Sequence, residues 1–520
     1  MKPKNILCFI ADDTDFINLP AYGAQGVLCP TLDTLAKEGM VFEQAYCASA
    51  ACTPSRFNYL TGRYCGHSKD PEFLTQYPKD DLYSIEWNAW LNGDQKTLAH
   101  FFREQGYATG YFGKWHNGYE FEALDIPPLF ENDDPRDPEV QGRLQTCQQA
   151  FQAMVKEGTG FDIVDSIVWA NADEFPVKAL RHHNPEWITH KALNFLDVSA
   201  HQQQPFFLWL ASTIFHGPEH HKCLEADPTL TFNGIETSHL NCQPSRESVK
   251  RRLREAGLPI NHQTVGMLWL DDMLAALIEK LMQLSLYDDT LICFLVDHNT
   301  EPGKASCYQK GSRIPMIIKP SGNSPVPQSR PKEPVQNIDL LPTLLDYNQF
   351  PVPEEIDGQS FYALFCQPEN VAPLDRTLFL ENGFTRGIVR GRWKYIALRF
   401  PKNIQEKILH GNLEELPNHL NRFRQGQPHI TMTEYLGYFD PDQLYDLAND
   451  PEEQNNLATD PAFSDKLKEM KDLLKEQCEQ FEHPFPIDET DFFERKEYLK
   501  AKSKLMAVGT DFIEWWPQPS

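Results

Sequence analysis

The sequence contains no apolar run long enough to cross a lipid bilayer. A transmembrane helix needs about 20 consecutive apolar residues, and even stretches of about 18 are absent from this chain. The first apolar run, Asn5 to Ala11, is too short for the core of a signal peptide and leads directly into two aspartates. We therefore expect no membrane partner and a cytoplasmic location, or a periplasmic or secreted one if a leader was removed.

Basic residues are scarce relative to acidic ones. The chain has 48 Lys and Arg against 74 Asp and Glu, which gives a formal net charge of -26 at pH 7. Proteins that bind nucleic acid need clustered Lys and Arg to displace the counterions of the phosphate backbone. The charge therefore argues against a nucleic-acid partner. An anionic substrate would need a local basic pocket that overcomes the field of the whole protein.

The twelve cysteines include no pair with the two-residue spacing of a zinc knuckle. Several lie inside apolar runs, such as Cys8 and Cys293, and free cysteine is commonly buried. We interpret most of them as buried free thiols. Cys52 is set apart from this group by the residues that follow it.

Short runs rich in Ile, Val, Leu and Phe alternate with helical patterns in the first part of the chain. This alternation is typical of an α/β fold whose parallel sheet is covered by helices on both faces. Thr97 to Gln105 ends at Gly106 like a capped helix, and Met267 to Leu284 has apolar residues at three- and four-residue spacing. The predicted strands are Asn5 to Ala11, Tyr107 to Phe112, Pro205 to Ala211, Thr290 to Val296 and Ile314 to Ile318.

The chain of 520 residues exceeds the size at which a single hydrophobic core usually stops growing. After about residue 370 the pattern changes. Arg390 to Leu398 predicts a strand after a turn, and Phe463 to Phe481 predicts an amphipathic helix. We therefore predict a large α/β/α domain with a mostly parallel sheet over residues 1–370, and a smaller α+β domain with an antiparallel sheet and helix over residues 371–520.

Charged residues follow four of the predicted strands, at the point where each strand ends. In open parallel sheets, ligands bind beyond the carboxyl ends of the strands. Four segments far apart in sequence therefore deliver charged groups to one rim. These residues are Asp12 and Asp13, Lys114 and His116, His216, and Asp297 and His298.

The segment Cys52-Thr-Pro-Ser-Arg56, followed by Leu60-Thr-Gly-Arg63, resembles the signature of the type I sulfatases. In that family the cysteine is oxidised to formylglycine by a maturation enzyme. Cys242-Gln-Pro-Ser-Arg246 fits the same short pattern but lacks the Leu-Thr-Gly-Arg extension. We interpret the second match as a coincidence, and Cys52 as the residue that is converted.

The resemblance implies an alkaline-phosphatase-like fold and a hydrolase that cleaves sulfate esters. A serine could take the sulfuryl group but would then hold a stable ester. A hydrated aldehyde does not form such a stable ester. One of its hydroxyls attacks sulfur, and the other then loses its proton, so that the aldehyde forms again and sulfate is expelled. By the same resemblance, Arg56 holds the nucleophile through charge-assisted hydrogen bonds.

Asp12, Asp13, Asp297 and His298 are similar to the metal site of that family. Three carboxylates suit a hard cation, so the resemblance implies Ca²⁺, with Mg²⁺ as the alternative. The family commonly has Asn or His at the fourth position and Gly after it. Here Asn299 stands where Gly is usual.

The remaining catalytic positions also follow from the resemblance. Gly113-Lys-Trp-His116 is similar to a family segment whose Lys and His contact the nucleophile and the sulfate, and His216 resembles a sulfate-binding His. The family pattern Lys-x-x-x-Tyr-x-x-Gly-x-Arg-x-Pro places Lys304, rather than Lys310, as the second sulfate-binding lysine. The resemblance extends from Asn5 to about Leu457.

We therefore expect a sulfatase that acts on a sulfated carbohydrate, with aryl sulfates left open. Long polar loops over Asp125 to Gln141 and Phe215 to His262, and exposed aromatic residues such as Trp169 and Trp187, would suit sugar recognition. One rival is a phosphodiester or phosphonate monoester hydrolase that uses the same aldehyde. A second is a glycan-binding protein whose Cys52 is never matured.

Overall fold

The computed structural model describes residues 4–118, 125–237, 240–300, 302–322, 329–366, 376–412, 416–417, 420, 431–432 and 434–507. The domain boundary expected at residue 370 lies outside the described residues. No helix among those described is both long and apolar enough to cross a membrane.

Eight strands form one large sheet in the order β10-β2-β9-β8-β1-β5-β3-β4. Every neighbouring pair is parallel except those of β9, which runs antiparallel to β2 and β8. The strands of the chain are β1 Asn5–Ala11, β2 Met40–Tyr46, β3 Ala108–Lys114, β4 Ile163–Val168, β5 Phe206–Ala211, β6 Leu230–Thr231, β7 Gly234–Ile235, β8 Thr290–Val296, β9 Arg313–Lys319, β10 Val335–Gln336, β11 Thr377–Asn382, β12 Thr385–Arg390, β13 Trp393–Leu398 and β14 Asp442–Asp446.

All seven residues of β1 and all seven of β8 are buried, so both faces of the sheet are covered. One helical layer contains α1, α6 and α9, and the other contains α2, α4, α5 and α11. The helices are α1 Pro30–Glu38, α2 Cys52–Thr61, α3 Pro71–Gln76, α4 Leu98–Glu104, α5 Pro138–Thr159, α6 Pro185–His201, α7 His220–Cys223, α8 Arg246–Glu255, α9 His262–Gln283, α10 Gln309–Ser312, α11 Leu340–Tyr347, α12 Ala363–Cys366, α13 Lys402–His410, α14 Ser464–Cys478 and α15 Lys496–Ala507.

A second sheet has four antiparallel strands in the order β11-β12-β13-β14. Helix α14 packs on this sheet through Met470 and Leu474, which share a buried cluster with Tyr395 and Leu444. The strand and helix predicted for this part of the chain are β13 and α14. Tight turns join β11 to β12 and β12 to β13 as hairpins, whereas β14 follows β13 only after a long connection that contains α13.

Three expectations about the fold need correction. The run that begins at Ile314 is antiparallel, because the connection from β8 forms a loop of the site instead of a crossover helix. Trp187 is only 1% exposed and packs in the core from α6, so it is not available to a sugar. The stretch after Phe215 is not one long loop, since it contains α7, α8 and the β6–β7 hairpin.

The cysteines are free, as expected, and most are buried. Cys8 and Cys293 face each other as register partners on β1 and β8. Cys366 is exposed, and Cys242 and Cys478 are partly buried.

Candidate active site

Cys52 is the first residue of α2 and is only 1% exposed. The amino end of a helix carries partial positive charge, which favours a negative atom at this position. Arg56 is four residues after Cys52, so it lies one turn further along α2 and on the same side of the helix. The spacing within the signature therefore places the cysteine and the arginine in one buried pocket.

The other residues of the signature join α2 to the strand ends. The Thr53 hydroxyl donates a 2.7 Å hydrogen bond to the carbonyl of His116, and the Ser55 hydroxyl donates one of 2.5 Å to the carbonyl of Asp297. Arg56 donates to Asp12 at 3.0 Å and to Asp297 at 3.1 Å. The polar residues of the motif therefore connect α2 to the segments that follow β1, β3 and β8.

The Leu-Thr-Gly-Arg extension ends this helix. Gly62 has a φ of 66°, the left-handed conformation of a helix C-cap, and its amide donates to the carbonyl of Asn58. A Cβ at this position would lie 3.0 Å from side-chain atoms of Ile356 and Leu341. The glycine is needed both for the turn and for the close packing of the following segment.

Three carboxylates and one imidazole surround Cys52. Ligand atoms of Asp13, Cys52 and His298 lie within 4.8 Å of one another, and so do those of Asp12, Cys52 and Asp297. The four expected metal ligands are all buried. This donor set of carboxylate oxygens with one imidazole nitrogen fits a divalent cation that prefers oxygen.

His298 turns one ring nitrogen toward this cluster. Its Nε2 lies 3.1 Å from Asp13 Oδ1 and 3.2 Å from Cys52 Sγ, while Nδ1 bonds to the carbonyl of Asn299 at 2.9 Å. A hydrogen bond of this kind orients a ligating imidazole. The Asn299 side chain points elsewhere and donates to the carbonyl of Arg313. The asparagine that stands here in place of the family's usual glycine therefore does not displace His298 from the site.

Burial and the charges of the cluster together shift the pKa values of its carboxyls in opposite directions. Burial alone would raise them, but Lys114 and Arg56 hold the pKa of Asp12 well below its usual range, and Lys304 and His298 lower that of Asp13 to about 2. Burial raises the pKa of Asp297 to about 7. His298 and Arg56 lower the pKa of Asp297 less than burial raises it, so a divalent cation beside this carboxyl would favour its charged form.

Lys114 is fully buried at the end of β3. Its ammonium donates to Asp12 Oδ2 at 2.5 Å and to Asn171 Oδ1 at 2.6 Å, and lies 3.8 Å from Cys52 Sγ. The strand can turn inward here because Gly113 has a φ of 97° and lies against Ala211, where a Cβ would meet the carbonyl oxygen at 1.9 Å. Only glycine allows that approach.

The two predicted histidines differ in their surroundings. His116 follows Lys114, and its buried Nδ1 has no hydrogen-bond partner among the described residues. His216 is 22% exposed, with Nε2 4.0 Å from Asp13 Oδ2 and Nδ1 3.8 Å from Asp173 Oδ1. His216 is therefore the predicted site residue that faces the solvent side.

The structure places the two candidate lysines in different environments. Lys304 is buried and donates to both oxygens of Asp13 at 2.9 Å. Lys310 is 23% exposed and pairs with Glu452 at 2.7 Å and Glu434 at 3.5 Å. Lys304 therefore joins the other predicted residues at the rim, and Lys310 does not.

The two matches to the short cysteine motif also differ. Burial would raise the pKa of the Cys52 thiol, but Lys114, Lys304 and His298 lower it to about 6. Burial raises the pKa of Cys242 to about 12. Arg246 pairs with Glu186 at 3.0 Å and lies over the Trp269 ring. Arg246 of the second motif therefore makes structural contacts, while Pro244 and Ser245 are exposed.

Sequence reasoning missed Asn171 and Asp173, which follow β4. The run from Ile163 to Val168 is interrupted by Asp165 and Ser166, which obscured the strand. Asn171 accepts from Lys114 inside the pocket, and Asp173 lies beside His216 at its mouth. Recognition of β4 would have added both residues to the rim.

The arrangement unites a nucleophile position, three buried cations and a metal-ligand cluster beyond the carboxyl ends of β1, β3 and β8. Such a pocket can bind a tetrahedral anion and stabilise the charge that develops as its ester bond breaks. The fold and the site together define an ester hydrolase of the alkaline phosphatase superfamily.

The sulfatase family model matches residues 4–349, so the chain belongs to the sulfatase family. It is 25% identical to an N-acetylgalactosamine-6-O-sulfatase of Bacteroides thetaiotaomicron over 91% of this chain and 93% of that protein. The enzyme is a sulfuric ester hydrolase.

Two examples represent the solved structures that share the fold. A Bacteroides thetaiotaomicron sulfatase, described in a study of glycosaminoglycan metabolism, has a TM-score of 0.60 at 21% identity and covers 92% of this chain and 99% of its own. The phosphonate monoester hydrolase of Agrobacterium radiobacter has a TM-score of 0.55 at 17% identity, with coverages of 92% and 96%.

Proposed function

We propose that this chain removes sulfate from a sulfated carbohydrate, with a formylglycine made from Cys52 as nucleophile and a divalent metal, Ca²⁺ or Mg²⁺, in the adjacent cluster. The observation that carries the proposal is the position of Cys52 Sγ, 3.2 Å from His298 and 3.8 Å from Lys114. The relative that hydrolyses N-acetylgalactosamine 6-sulfate supports a carbohydrate substrate. A sulfatase-maturation enzyme is the partner that this proposal requires.

The carboxylates of Asp12, Asp13 and Asp297, with His298, would hold the metal. A divalent cation there would lower the pKa of the nucleophile and offset the charge of the sulfate. Arg56 bridges Asp12 and Asp297 and so fixes two of the ligands relative to the nucleophile helix.

Each of two buried lysines pairs with a different proposed metal ligand: Lys114 with Asp12, and Lys304 with Asp13. Their ammonium groups would bind sulfate oxygens and stabilise charge as the sulfuryl group is transferred. His116 would contact the nucleophile or the sulfate. His216 lies nearest the solvent, so we assign it to a sulfate oxygen or to the departing alcohol.

Paired assays test the reaction. Matured protein should hydrolyse an aryl sulfate, and a panel of sulfated sugars should identify the carbohydrate that it prefers. Aryl phosphonate and phosphodiester analogues of the same leaving group serve as controls. The rival is plausible because sulfuryl and phosphoryl transfer need similar charge stabilisation. Faster hydrolysis of the phosphonate or the phosphodiester than of the sulfate would therefore favour the rival hydrolase over a sulfatase.

A further inference from the structure

Asp173 forms part of the wall at the mouth of the pocket. It lies in the short helical turn Ala172–Glu174, and its side chain is 43% exposed. The carboxylate lies 3.8 Å from His216 Nδ1 and packs against Gly217, where a Cβ would meet Asp173 Oδ2 at 2.9 Å. Asp173 therefore lies on the solvent side of the imidazole that reaches toward Asp13.

A carboxylate at this position opposes the charge of the pocket interior. The interior of the site contains the ammonium groups of Lys114 and Lys304, which are proposed to bind the sulfate, whereas the mouth presents Asp173. Among the described residues its one ion-pair contact is the His216 ring, whose Nδ1 is buried and has no hydrogen-bond partner there. No lysine or arginine in the described part of the chain neutralises it.

An ionised carboxylate accepts hydrogen bonds and donates none. The groups that it can bind on a substrate are therefore hydroxyl, amide N–H and ammonium groups. A second sulfate or a carboxylate beside the reacting ester would face a like charge in a partly desolvated position. Repulsion of this kind is a common source of specificity.

We propose that Asp173 is a specificity-determining residue that accepts a hydrogen bond from the sugar beside the scissile sulfate and disfavours a second anionic group there. The preferred substrate class is then a singly sulfated sugar residue with a free hydroxyl or N–H next to the ester. This inference rests on the proposed sulfatase function and deepens it.

Two aryl sulfates with similar leaving groups provide the test: 3-(hydroxymethyl)phenyl sulfate and 3-carboxyphenyl sulfate. Matured wild type should favour the hydroxymethyl ester by about fivefold to tenfold in kcat/KM, mainly through a higher KM for the carboxylate. Asp173→Asn should bring the ratio to within about twofold. Higher salt should narrow the wild-type ratio and leave the ratio of the variant unchanged, because salt screens partly exposed charges.

Glu219→Gln is the matched control. Glu219 is 44% exposed and pairs with His221 and His262, so it resembles Asp173 without contacting His216. The control should retain the wild-type ratio. Equal hydrolysis of both esters by wild type, or a ratio that Asp173→Asn does not change, would overturn the role of Asp173. Hydrolysis of neither ester would count against the proposed function itself.

Discussion

Lys304 and Asp13 form a buried ion pair in which both carboxylate oxygens lie 2.9 Å from the ammonium nitrogen. Asp13 follows β1, and Lys304 lies on the loop between β8 and β9. The pair therefore connects a proposed metal ligand to a proposed sulfate-binding group. Burial opposes the charge of Lys304, but Asp13 and Cys52 raise its pKa, so it is cationic at neutral pH.

Lys304→Ala should lower kcat/KM by about 100-fold to 1000-fold, because it removes a preorganised cation from the transition state. Lys310→Ala is the matched control and should remain near wild type, since Lys310 pairs with Glu452 near the surface. Steady-state kinetics on matured protein, with metal content measured alongside, provide the test. The opposite ranking would show that the loop has been assigned wrongly.

Asp13→Asn and Asp297→Asn should each lower metal occupancy and activity together. Each substitution removes one charged oxygen from a hard-cation site, and activity should fall by about 100-fold or more at limiting Ca²⁺. Elemental analysis beside kinetics checks both quantities. Full activity in both variants after chelation would contradict the metal assignment.

The loop that carries Lys304 is held by the C-terminal part of the chain. The Tyr308 ring stacks on Tyr435 with centroids 3.7 Å apart and planes 2° apart, and its hydroxyl donates to Gln443 at 2.6 Å. The buried hydroxyl of Tyr435 has no hydrogen-bond partner among the described residues. The ring, rather than the hydroxyl, therefore makes the contact.

Tyr435→Ala should destabilise the protein by about 3 kcal/mol and lower kcat, because a large buried ring is lost beside this loop. Tyr435→Phe keeps the ring and should match wild type in both respects. Urea unfolding and kinetics on the same preparations measure the two effects. A Phe variant as impaired as the Ala variant would assign the role to the hydroxyl instead.

The thiol of Cys52 should titrate with a pKa near 6 in unmatured, metal-free protein. Burial raises this pKa, but Lys114 is the largest of the charges that lower it, so Lys114→Met should move the titration to higher pH. The thiolate absorption near 240 nm, taken as the difference from Cys52→Ser, follows the group directly. No difference signal below pH 8 would contradict the described charge arrangement.

Many site residues beyond the carboxyl ends of the strands could be predicted, because uniform apolar runs in the sequence end in charged residues. Asn5–Ala11 and Thr290–Val296 match β1 and β8 in full, and Asp12, Asp13 and Asp297 follow them directly. A buried strand has little freedom in where its first polar residues emerge. The carboxylate cluster therefore follows from sequence and sheet topology together.

The remainder depends on contacts that no local pattern encodes. The Asp165-Ser166 interruption hid β4, and with it Asn171 and Asp173. Trp187 was expected at the surface, but a residue inside α6 can face the core or the solvent according to tertiary packing. The choice of Lys304 over Lys310 as the site lysine required the family pattern, since both lysines follow the same strand.

Conversion of Cys52 is the step on which the whole account depends. Protein produced with a maturation enzyme should be digested, and the peptides containing Cys52 and Cys242 weighed while sulfatase activity is assayed on the same sample. The account predicts a mass loss of about 18 Da on the Cys52 peptide alone, in proportion to activity, because a carbonyl replaces the thiol. A fully active sample whose Cys52 peptide retains its unmodified mass would contradict it.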